Sequence, residues 1–274
     1  MASNLSTIGF TFADDKSFES TMIRLANEAR ERLATDAGEY AIWRSRTGAE
    51  IWFHLGVANA GTGERDIVGL TPYFEGESDI ALAVTAALQR PDDNPLEGIV
   101  HGWVAPDGTG IGSYPIVYEA VDYAAHAKRE LPAEWRCRIA GFCRELAVYE
   151  NAEAMLKADD DIEGIKPAAQ ALIPIGLFTD TEGEADDDAL FGDDDSDDSI
   201  DDLGQPTPTV LIRGIVRAHK PLQNEITGSA FHWMLIDTLD ATFDLCADAE
   251  LVTTPPKVGS AVEAYAWLFG RVIG

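Results

Sequence analysis

The sequence predicts two folded parts of different class. Residues 1–178 read as an α+β domain with a mainly antiparallel sheet and one early amphipathic helix, and residues 207–274 as a small all-β barrel. Three observations predict this. The run from Asp180 to Asp202 holds 13 acids and no Lys or Arg. Like charges with little to bury do not collapse, so residues 179–206 read as a disordered acidic linker. Phe18, Met22, Leu25, Ala29 and Leu33 recur at helical spacing near the start. After Pro206 come four or five short strand-like runs, enough for a closed or nearly closed barrel.

The elements follow in order. Leu5 to Phe12, rich in β-formers, reads as a first strand. Asp14 or Asp15 caps the helix, which ends near Gly38. Tyr40 to Arg44 and Glu50 to Leu55 read as a hairpin, with Ile51, Phe53 and Leu55 on one face and Glu50, Trp52 and His54 on the other. Residues 67–74, 79–89, 97–105 and 114–123 read as further strands between turn-rich stretches. Residues 134–149 fit either period; the alternation of Trp135, Cys137 and Ile139 with Arg136 and Arg138 favours a strand, with Gly141 as a bulge, then a short helix from Asn151 to Leu156. The apolar segment Ala171 to Phe178 is expected to dock back on the first part and anchor the linker. In the tail, Val210 to Ala218 with Gly214 inside it, Phe231 to Asp237, Ala241 to Cys246 and Val258 to Gly274 read as strands, with a turn at Asn224 to Gly228.

The strand count and the coiled first strand with its central glycine make the tail resemble an OB-like barrel. IPIGLF at 173–178, the acidic linker, GIVRAHKPLQNEITGSAFHWMLIDT at 214–238 and WLFGRV at 267–272 together resemble a recurring set in bacterial cytoplasmic proteins of two domains. The resemblance implies architecture and a cytoplasmic source, and it implies no activity.

Charge narrows the partners. The formal net charge is −28, of which −13 falls in residues 1–179, −13 in the acidic run and −2 in residues 207–274. Nucleic-acid binding draws on a basic stripe, and none is visible; Arg136, Arg138 and Arg144 lie among Glu134 and Glu145. A basic protein partner fits better. No leader and no membrane span are expected from MASNLSTIGFTF or any later apolar run. Three cysteines without metal-type spacing read as buried thiols in a reducing cytoplasm.

No catalytic motif stands out and no cofactor is implied. Gly108, Gly110 and Gly112 lack the third glycine and the helix of a dinucleotide fingerprint and read as a hairpin loop. From Asp193 the acids fit the first positions of a Ca²⁺ loop, but Asp198 and Gly204 replace its glycine and glutamate. A sheet-face metal set could use Glu50, His54 and Glu119. The binding surfaces expected are the sheet face near Trp43, Trp52 and His54 and the tail aromatics Phe231 and Trp233. The leading function is a non-catalytic binding or adaptor protein, of inhibitor or immunity type, toward a basic protein partner. A metal-dependent or hydrolytic enzyme in the first part, and single-strand nucleic-acid binding by the barrel, stay open as alternatives.

Overall fold

A computed structural model describes residues 4–59, 61–91, 93–159, 166–177 and 206–274. The acidic run, with its Ca²⁺-loop reading, lies outside the described residues. The chain is mostly β. The strands are β1 (Glu31–Thr35), β2 (Gly38–Arg44), β3 (Ala49–Leu55), β4 (Ile67–Phe74), β5 (Ile80–Leu88), β6 (Ile99–Val104), β7 (Tyr114–Ala120), β8 (Ala133–Tyr149), β9 (Ala171–Ile173), β10 (Thr209–Gln223), β11 (Ala230–Thr238), β12 (Ala241–Asp248) and β13 (Ala261–Val272). Helices α1 (Asp15–Glu28), α2 (Tyr123–His126) and α3 (Ala152–Ala158) join them.

Strands β1 to β4 form an antiparallel sheet in chain order, and β5 to β13 form a mixed sheet. Within the mixed sheet the longest ladder is the antiparallel pair β8–β13, running from Cys137 opposite Val272 to Tyr149 opposite Ala261. Two rings close on that pair. One runs β8, β5, β6, β7, β13. The other runs β8, β12, β11, β10, β13.

This corrects the picture of a self-contained tail. The four tail strands do not close on themselves; β8, from the first part, completes their ring through Asp244–Cys246 and the length of β13. The physical reason is edge pairing. Strands β12 and β13 would each leave a row of unpaired amides, and β8 is long and apolar enough to satisfy both. The segment after α3 also docks elsewhere than expected: β9 pairs with Leu211–Arg213 of β10, not with the first part.

Local differences have local causes. Ser6–Ile8 forms a 3-10 turn rather than a strand, ended by Gly9 at φ 79°. Its buried Thr7 and Ile8 satisfy a strand-like composition without a ladder. Helix α1 stops at Glu28 because Ala29 is already extended, so Leu33 belongs to β1. The cap holds as read: the Ser17 amide donates to Asp14 Oδ1 at 2.7 Å. The bulge in β8 falls at Arg144, skipped between the pairs Cys143–Ala266 and Glu145–Tyr265, whereas Gly141 stays in register. A side chain at Gly141 would crowd Leu245.

Two cores result. One fills the rings with residues such as Leu82, Ile116, Ile139, Ile212, Met234 and Leu268. The other lies between the outside of the mixed sheet and the four-stranded sheet with α1; it holds Phe10, Leu25, Tyr40, Phe53, Phe142, Phe231, Trp233 and Phe269. Neighbours such as Leu268 and Phe269 enter opposite cores, as strand alternation requires.

Candidate functional site

The residues singled out from the sequence, Trp43, Trp52, His54, Phe231 and Trp233, are all buried. In β3 every side chain is buried, because both faces of this central strand are covered. Trp52 is 2% exposed and donates Nε1–H to Glu50 Oε2 at 2.8 Å. His54 is 1% exposed, with Nδ1 3.1 Å from Glu97 Oε1 and Nε2 3.2 Å from Thr71 Oγ1. Trp43 is buried edge-on against Phe10. The expected open face is therefore an interior. Phe231 and Trp233 are also buried, against Phe74, so neither offers a face for stacking bases.

The sheet-face metal set does not converge. Glu50 is held by Trp52 and Arg44, and Glu119 by Trp267 Nε1–H at 2.9 Å. Burial pushes both carboxyls above their usual range. Among the described residues, no three His, Cys, Asp or Glu side chains are grouped to hold a metal. Cys137, Cys143 and Cys246 are buried free thiols. Burial pushes the first two up to about 12 and raises the third well above its usual value, so all three keep their protons at neutral pH. The Asp122–His126 pair (3.1 Å) has the form of an acid–base dyad, but Asp122 Oδ2 also accepts from the Val272 amide. The space beside the pair holds no water-sized volume.

Three larger clefts lie among the described residues. One of about 600 Å³ runs past Trp43 between the end of α1 and β1–β2, lined by Glu28, Arg30, Glu31 and Arg44. A smaller one, about 250 Å³, sits where Lys220 lies 4.6 Å over the Trp233 ring, beside Arg46, Glu75 and Glu77. Both mix charges that already pair: Arg44 with Glu31, Arg46 with Glu225, Lys220 with Glu77.

The third is different. About 520 Å³ in volume, it is lined by Phe10, Phe12 and Phe18 and by Asp14, Asp15, Asp248 and Glu250, with no Lys or Arg. Phe12 stands edge-on to Phe18 at 5.4 Å and stacks with Phe10 at 6.3 Å. Phe12 and Phe18 are half-buried; Asp14, Asp15 and Glu250 are exposed. Asp14 and Asp15 offset the positive end of α1. The Ser17 amide holds the Asp14 carboxyl below its usual range, so it is ionised at neutral pH. The wall is fixed from afar: Asn224 Nδ2 donates to the Ile8 carbonyl at 2.9 Å and Thr227 Oγ1 to the Gly9 carbonyl at 2.5 Å. Sequence reading placed Phe12 in a strand and Phe18 on a buried helix stripe. Asp248 and Glu250 arrive from the far end of the chain, and no local signal links them.

A histidine pair lies on the same β10–β11 hairpin. His219 Nε2 and His232 Nδ1 are 2.8 Å apart with ring planes 3° from parallel, an N–H···N bond that needs one neutral acceptor ring. Burial lowers both pKa values, and His232 lowers His219 further; burial also lowers His101. A folded pKa below the unfolded value means stability is full above about 6.5 and is lost as pH falls through the folded values. Thermal unfolding should show this loss between about pH 7 and pH 5. It should be smaller in His219→Asn/His232→Asn; an equal loss in that variant would assign it elsewhere.

No family model, curated protein or solved structure matches this chain. No helix among the described residues is long and apolar enough to cross a membrane.

Proposed function

We propose that the protein is a non-catalytic binding or adaptor protein, of inhibitor or immunity type, that takes a cationic side chain of a basic protein partner into the Phe12–Phe18 cleft. The observation that carries this is the lining: three phenylalanine rings and four carboxylates around one open volume, without a basic residue. An arginine or lysine entering there meets π faces and carboxylates together, a combination worth more than either alone when water is displaced. The net charge of −28 steers such a partner from a distance and discourages acidic competitors. The buried Phe231 and Trp233 favour this reading over single-strand nucleic-acid binding, and the protonated thiols favour it over cysteine catalysis. Photo-crosslinking from position 12 tests it.

A further inference from the structure

A second surface shares no residue with the cleft. Strand β4 is an edge of the four-stranded sheet: it pairs with β3, and no other described strand pairs with it. Its first half is exposed and apolar, with Ile67 at 45% and Val68 at 47%, and Val57 nearby in sequence at 73%. Val68 is skipped in the ladder between the pairs Leu55–Ile67 and His54–Gly69, so it bulges from the strand beside Ile67. Natural edges are usually blunted by charge, proline or a cover. Pro72 blunts the second half of β4, and the opposite edge, β1, carries Glu31 and Arg32, already paired with Arg44 and Glu39. Residues 67–70 carry neither charge nor proline, and Thr71 is buried. The charges beside it are acidic: Glu64 and Asp66 are exposed, and Glu97 lies against Gly69. Arg65 is turned to the Gly56 carbonyl at 2.7 Å, and Arg90, near Glu97, is paired with Asp93.

We infer that this edge binds an extended segment of a partner protein as an added strand, one with consecutive apolar residues flanked by Lys or Arg. The backbone supplies affinity, Ile67 and Val68 supply apolar contact, and Glu64 and Asp66 select the flanking cations. The inference stands whether or not the Phe12–Phe18 cleft binds anything.

The test is amide hydrogen exchange of the full chain with the synthetic peptide Lys-Lys-Val-Ile-Thr-Val-Lys-Lys. Exchange at residues 67–71 should slow roughly tenfold at saturation. Ile67→Lys/Val68→Lys should abolish the effect, and Glu64→Gln/Asp66→Asn, which leaves the edge intact, should weaken binding by roughly tenfold. Three results would overturn the inference: no slowing at 67–71, slowing confined to residues 10–18, or self-association without peptide that the lysine variant abolishes. The last would assign the edge to a second copy of the chain.

Discussion

Replacing Arg213 with methionine lowers the unfolding free energy by about 3–5 kcal/mol. Arg213 lies in β10 with its side chain 3% exposed. It grips both oxygens of Asp159 at 2.7 and 2.9 Å and also binds Glu263 and the Pro167 carbonyl. It thus ties the end of α3 and the stretch before β9 to the ring formed by β10 and β13. The guanidinium holds the Asp159 carboxyl below its usual range. Removing the arginine strands Asp159, itself 3% exposed, without a counter-charge, and that stranded group is the larger part of the cost. The double variant Arg213→Met/Asp159→Leu should recover much of the loss, since only the half-buried Glu263 then keeps its charge. Urea unfolding of the three proteins decides it. A single-variant change below about 1 kcal/mol would show the pair to be solvated.

Asp244→Ala should cost about 3 kcal/mol, because three donors, two of them buried, lose one acceptor. Trp233 Nε1–H donates to Oδ1 at 2.7 Å, the Glu77 amide to the same oxygen at 2.9 Å, and the Ser78 amide to Oδ2 at 2.8 Å. These bonds pin the β4–β5 connection to β11 and β12, and so the four-stranded sheet to the ring. Burial raises the Asp244 carboxyl above its usual range, and the three donors oppose that rise. Gly76→Ala attacks the same junction sterically, since a Cβ there would overlap the Asp244 carboxyl. Both variants should unfold at lower urea. Indole fluorescence that keeps its native maximum and midpoint in both would show that the junction contributes little.

What was legible in the sequence was local. The Asp14 cap, the hairpin of β2 and β3 and the tail strands follow from side-chain types within a few residues of one another. The alternation of Trp135, Cys137 and Ile139 likewise read β8 correctly as a strand. What was not legible was pairing at long range. Nothing near Phe142 announces Cys246 as its parallel neighbour, yet that contact turns an expected separate barrel into a ring shared by both parts of the chain. Alternation also misled. Glu50, Trp52 and His54 read as part of a binding face, but β3 is central: the Asn94–Glu97 loop meets His54 and Tyr40, and Glu50 lies among Arg44, Trp52, Glu75 and Arg271. The cleft was the hardest to see. Phe10 and Phe12 sit in a segment whose burial imitates a strand, Phe18 sits on α1, and two of the cleft's carboxylates come from the end of β12 and the turn after it.

Crosslinking from the cleft tests the functional account most directly. The protein, with benzoylphenylalanine in place of Phe12, is irradiated in a lysate of its source cells; a second preparation carries the label at Val258, which is 75% exposed. The account predicts a discrete adduct with a basic protein from position 12 alone. The crosslinked peptide should carry Lys or Arg, and the yield should fall with salt and with Asp248→Asn/Glu250→Gln. An adduct formed equally from position 258, an adduct with nucleic acid or an acidic protein, or none at all would contradict it.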